Sequence, residues 1–133
     1  MIAVFTGTRK SLDIASVVVR KELSYLAGEH GNSLSVLVGD CPSGLDNYVR
    51  IHCKRFGIDC AIFQANWDAL GRRAGPHRNS FMIDLAELLS QYSKVVVFYY
   101  TADGVESKGT ADCVRKARAA GLECVAIGDG VEL

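Results

Sequence analysis

Residues 94–100 read "KVVVFYY": a lysine followed by six residues that are all β-branched or aromatic. Side chains that stiff disfavour a helix, and the run is far too short to span a membrane. It reads as a strand buried on both faces, as in a parallel sheet. Four other stretches resemble it: "IAVFT" (2–6), "LSVLVG" (34–39), "CAIFQ" (60–64) and "ECVAIG" (123–128). Between them the apolar residues step at helical spacing. Leu45, Tyr48, Val49, His52, Cys53 and Phe56 form one face, closed by Gly57; Phe81, Met82, Leu85, Leu88, Leu89 and Tyr92 form another. Residues 12–28 and 110–120 carry weaker versions, closed by Gly28 or Gly31 and by Gly121. Strand–helix alternation of this kind predicts an α/β fold: a mainly parallel sheet of about five strands with helices on both faces. With 133 residues, no internal repeat and no linker, a single domain over 1–133 is expected.

Composition narrows the function classes. The 15 basic side chains balance 15 acidic ones, and the pI is near 6.8. A nucleic-acid or membrane partner attracted by global charge is therefore not expected, and any electrostatic role must be local. The start, "MIAVFTGTRK", lacks a basic segment before its apolar run and reads as a strand rather than a secretion signal. No apolar run approaches the roughly 20 residues of a membrane span. The five cysteines include no C-x-x-C pair, so neither a zinc site nor a disulfide framework is expected, and a reducing cytoplasm fits best. Cys53, Cys60, Cys113 and Cys124 fall in apolar patterns and are expected in the core, whereas Cys41 lies in a loop.

In right-handed βαβ units the loops after each strand share one edge of the sheet, where ligands of such folds bind. Those loops are "TGTRKS" (6–11), "GDCPSGLD" (39–46), "QANWDALGRRAGPHRN" (64–79) and "YTADGVESKGT" (100–110). In the first, Gly7 permits close backbone approach, Thr8 offers a hydroxyl and Arg9 a forked cation for phosphate or carboxylate; a plain tight turn with Arg9 in solvent reads equally well. In the second, after Gly39 and Asp40, Ser43 is expected to cap a helix with Asp46 completing a capping box across Gly44. The alternative is a free helix end that binds an anion, with Asp46 accepting from a ribose. In the last, Lys108, Gly109 and Thr110 open a helix and make a second possible phosphate cradle, without Walker or G-x-G-x-x-G spacing. In the third, Pro76 is expected at the first helical position, which puts Arg78 and Asn79 in the first turn. Arg72, Arg73 and Arg78 around a positive helix end make sense if something anionic sits there. Trp67 could stack on a base, but covering a core edge is the expectation.

A family resemblance then comes into view. "G-x-D" at 44–46, "A-N-W-x-x-x-G-R-R-A-G-P-x-R-N-x-x-M" at 65–82 and "S-K-G-T-A-D" at 107–112 resemble the YspA-like branch of the SLOG superfamily, which also holds the LOG phosphoribohydrolases and DprA. The resemblance implies a Rossmann-like fold that binds nucleotide-derived ligands, commonly as a homo-oligomer. Relatives act as ligand sensors or cut nucleotides at the N-glycosidic bond. LOG enzymes carry P-G-G-x-G-T-x-x-E with a catalytic glutamate, but here the matching stretch is "ESKGTADC" and the glutamate position holds Cys113. Asp112 is one residue off, about 100° around the helix. The branch also often has Asp where this chain has Asn66. These departures argue against the LOG reaction and leave binding intact, so the expectation is a sensor or sequestering protein without cofactor or metal. If hydrolysis did occur, Asp46 would be the acid to test.

Overall fold

The computed structural model of the chain describes residues 1–101 and 107–128. Five strands, β1 (Ile2–Gly7), β2 (Ser35–Gly39), β3 (Asp59–Phe63), β4 (Val95–Tyr100) and β5 (Glu123–Ala126), form one sheet in the order β3-β2-β1-β4-β5. Every pairing is parallel, with Val4 beside Leu37 on one side and Val97 on the other. The helices are α1 (Asp13–His30), α2 (Leu45–Phe56), the single turn α3 (Trp67–Leu70), α4 (Ala74–Leu89) and α5 (Lys108–Ala119). This is the Rossmann-like α/β architecture that the alternation implies.

The period-2 pattern of the central strands builds two cores. Ala3, Phe5, Val36, Val38, Val96 and Phe98 point to α1 and α2, where they meet Val19, Leu23, Leu45 and Val49. Ile2, Val4, Leu37, Val95 and Val97 point the other way, onto Met82, Ile83 and Ala86 of α4 and Cys113 and Ala117 of α5. The phenyl rings of Phe5 and Phe98 stack across the first core at 5.2 Å. No helix among the described residues is long and apolar enough to cross a membrane.

Several local expectations are corrected. The edge strands β3 and β5 are partly exposed rather than buried on both faces. Of the two expected closures of α1, Gly28 lies inside the helix and Gly31, whose φ of 55° suits glycine, ends it, while Gly57 closes α2 in the left-handed region as expected. Ser43 does not cap α2. The capping position is Gly44, at φ 72° and ψ −148°, and no side chain caps it. Only glycine takes this conformation easily, and a Cβ there would sit 2.3 Å from the Thr8 carbonyl oxygen. α4 begins at Ala74, so Pro76 is its third residue and Arg78 lies in the second turn. Its buried face is Gly75, Asn79, Met82, Ile83 and Ala86; Phe81, Leu88 and Tyr92 are exposed. Cys53 and Cys113 are buried, whereas Cys60 and Cys124 are only half-buried.

Candidate functional site

The strand order reverses between β1 and β4, which is where a doubly wound sheet opens a crevice at its C-terminal edge. A cavity of about 340 Å³ lies at that edge, lined by Arg9, Trp67, Arg72, Gly75, Pro76, Arg78, Asn79, Lys108, Gly109 and Asp112. Residues 102–106 of the β4–α5 loop lie outside the described residues. A larger hollow of about 470 Å³, bordered by Gly31, Asn32 and Gly57–Asp59, sits at the opposite edge and gathers no comparable set of cations.

The cavity is built from three segments. Asn66 caps α3 by accepting from the Ala69 amide at 3.1 Å, which places Trp67 at the start of that turn. Trp67 is 45% exposed and forms a wall of the cavity, so the expectation of a core role is corrected. The Arg9 guanidinium lies 5.7 Å from the centre of its ring. From α4 and the turn before it come Arg72, Gly75, Pro76 and Asn79, which share one helical face by their spacing. From α5 come Lys108, Gly109 and Asp112. Ser107 caps this helix, its Oγ accepting from the Thr110 amide at 3.2 Å, which leaves the first-turn amides of Lys108 and Gly109, two residues that line the cavity, outside that cap. Thr110 itself is buried and its hydroxyl shares a 2.8 Å hydrogen bond with Ser107.

The charges in the crevice have two different situations. Arg78 was expected to be free for an anion, but its Nη1 donates to Asp40 Oδ1 at 2.8 Å and its Nε to Asn79 Oδ1 at 3.1 Å. Its side chain is 10% exposed and that of Asp40 25%. Asp46 lies beside this pair. Burial raises its pKa above the usual carboxylate range, against the opposing charges of Arg78 and Arg50 and the amide of Cys41. Arg50 in turn donates to the carbonyls of Gly39 and Cys41. Arg78 is thus a strut between α4 and the end of β2, with its charge largely met. Arg9, Arg72 and Lys108 have no ion-pair partner among the described residues.

Among the described residues, Asp112 is the carboxylate that lines the cavity. Asn79 Nδ2 and Lys116 Nζ donate to its Oδ2 at 3.1 and 2.9 Å, and Arg115 donates to Oδ1 at 2.9 Å. Burial alone would raise its pKa, but these hydrogen bonds and the Lys116 charge outweigh it and hold the group below its usual range. Sequence reading takes Pro76 only as a helix start and Asp112 only as a residue displaced from the glutamate position, and assigns neither of them nor Gly75 to the site, although helical spacing from Lys108 and Asn79 selects all three.

The other expected residues serve the frame and do not line the cavity. Gly7 leaves room for Leu45, since a Cβ would come 2.6 Å from its Cδ1. Thr8 is buried; its Oγ accepts from the Lys10 amide and its carbonyl from the Leu45 amide, which occupies the α2 N-terminus. Ser43 Oγ donates to the Arg9 carbonyl at 2.8 Å. Gly39 lets Arg78 and Asp46 approach β2, a Cβ there lying 2.7 Å from each. Asp46 is buried outside the cavity, and Arg73 is exposed and does not line it. The Cys113 thiol is fully buried, and burial pushes its pKa up to about 12. At neutral pH it is an uncharged core group. No protein-family model matches the chain, and no curated protein matches it.

Proposed function

We propose that the cavity binds a small nucleotide-derived ligand, of the ADP-ribose-like, NAD-derived or cyclic-nucleotide kind, and that the protein acts as a sensor or sequestering protein. One observation carries this reading. Arg9, Arg72 and Lys108, none with an ion-pair partner among the described residues, line the same cavity as Trp67 and the first residues of α5. Three cations around one hollow repel each other, and the carboxylate beside them, Asp112, is already met by Arg115 and Lys116, so a bound anion relieves the repulsion; a helix N-terminus adds to the attraction. Phosphate matches the forked guanidinium and the point charge of lysine. Trp67 supplies a flat face for a base, and the ionised, oriented Asp112 supplies an acceptor for a sugar hydroxyl. The volume is at the lower end for ligand sites, which suits one nucleotide or one half of a dinucleotide. The resemblance to the YspA-like branch of SLOG proteins supports the same ligand class.

The test is a calorimetric titration against AMP, ADP-ribose, NAD and cyclic nucleotides, with each mixture then run on a column. Saturable binding with intact ligand is the expected result. Release of free base would overturn the reading in favour of an N-glycosidase, and absence of binding to all of them would remove it.

A further inference from the structure

α1 and α2 each follow a strand of the same parallel sheet, so they run side by side in one direction. Asp13, Ser16, Val17 and Arg20 step by 3, 1 and 3 residues and share a face of α1, as His52 and Arg55 share a face of α2. These six residues line a hollow of about 290 Å³ between the two helices. Ser16 and His52 meet there, with 3.1 Å between Oγ and Nε2. Arg20 lies one turn beyond Ser16, and Arg55 one turn beyond His52. On parallel helices this brings the two arginines level with each other. Both are exposed, neither has an ion-pair partner among the described residues, and both charges bear on the His52 ring. Asp13 lies one turn to the other side of Ser16, roughly 10 Å along α1 from Arg20 at the usual helical rise. His52 is 5% exposed, and its Nδ1 has no partner. Such a ring is least penalised when the unpartnered nitrogen is the one without a hydrogen. Nε2–H then donates to Ser16 Oγ, and the Ser16 hydroxyl proton is left for an acceptor in the hollow.

We infer that the hollow between α1 and α2 binds a phosphate monoester, its phosphate held by Arg20, Arg55 and the Ser16 hydroxyl and its organic group lying over Tyr25 and Phe56. Two level guanidiniums repel each other, and a phosphate between them relieves this while matching the donor fork of each. The serine hydroxyl supplies a further donor from the partly buried side. Asp13 is the one carboxylate lining the hollow, and it keeps the anion at the arginine end. The organic group has its own place. A neighbouring hollow of about 400 Å³ shares Arg20 and is lined by Lys21, Ser24, Tyr25 and Phe56. Tyr25 is 64% and Phe56 39% exposed, so both rings offer surface to an apolar or aromatic group. This site shares no residue with the crevice at the sheet edge, and the inference does not rest on the nucleotide reading.

Titration of the isotope-labelled full chain with phenyl phosphate, followed by amide chemical shifts, tests it. The expected result is a saturable shift at Ser16, Arg20, Tyr25, His52 and Arg55. Arg20→Ala and Arg55→Ala, both at exposed helical positions that keep the fold, each weaken this binding by ~10-fold or more, and Asp13→Asn tightens it. Inorganic phosphate binds more weakly and leaves Tyr25 unmoved. The amides of Arg72 and Lys108 report the crevice in the same spectra, so failure of one site is told apart from failure of the other. No saturable shift at Ser16, Arg20, His52 and Arg55 up to ~10 mM overturns the inference, as does an unchanged affinity in the Arg20→Ala/Arg55→Ala double variant. Equal affinity for inorganic and phenyl phosphate overturns the place given to the organic group.

Discussion

Arg72 and Arg78 lie in one polar stretch but in opposite electrostatic surroundings. Arg72 lines the cavity and forms no ion pair among the described residues, so its replacement is expected to remove a charge that a ligand would use. Arg72→Ala and Lys108→Ala should each weaken nucleotide binding by about 1.5–3 kcal/mol, roughly 10- to 100-fold, with little change in stability; calorimetry beside a urea melt reads both. Arg78→Ala should do the reverse in its main effect. It strands Asp40 and removes the nearest cation from the buried Asp46, so about 2–3 kcal/mol of stability should be lost. A Arg78→Ala melt identical to wild type would show that the strut is not structural. The sequence made the two arginines look alike because the partner that separates them, Asp40, is 38 residues away. Local spacing carries no sign of such a pair.

At the scale of elements, the joint between the β1–α1 loop and the start of α2 is set by backbone rather than by a capping side chain. "S-x-x-D" suggests a capping box, but Gly44 allows the chain to turn so that the Leu45 amide reaches the Thr8 carbonyl at 2.9 Å. Gly44→Ala places a methyl group against that carbonyl and forces a left-handed φ, so a loss of about 3 kcal/mol in urea unfolding is expected. α4 misleads for a different reason: it carries two adjacent apolar stripes, and composition alone does not say which one meets the sheet. The α1–α2 contact supplies a pH test. His52 is buried, its Nε2 3.1 Å from Ser16 Oγ and its Nδ1 without a partner. Burial, then Arg55 and Arg20, lower its pKa below the ordinary 6.5. In the interval between the two values the unfolded chain holds the proton and the folded chain does not. Its effect therefore leaves stability intact above about pH 6.5 and reduces it as pH falls toward the folded value. The urea midpoint should drop more from pH 7.5 to 5.5 in wild type than in His52→Gln, and equal drops would sink the assignment.

For the whole molecule, the parallel α/β plan is legible because every strand is a short apolar run and the intervening segments keep a helical period. The strand order is not legible from those runs, and it is the order that puts the crevice between β1 and β4. The cavity then draws on three separated segments: Arg9 after β1, Trp67 to Asn79 around α3 and α4, and Lys108 to Asp112 of α5. A ligand held by all three binds the folded chain and has no equivalent site in the unfolded one, so it must stabilise the fold by mass action. At 100 times Kd the gain is about 2.7 kcal/mol, which for a domain of this size raises the melting temperature by about 10 °C. The rise should shrink in high salt, since it depends on phosphate meeting partly exposed cations. It should nearly vanish in the Arg72→Ala/Lys108→Ala double variant, whose unliganded melt should match wild type because neither side chain supports the frame. A rise of equal size in that variant would place the ligand elsewhere on the molecule, and Arg9, Arg72 and Lys108 would then be ordinary solvated surface.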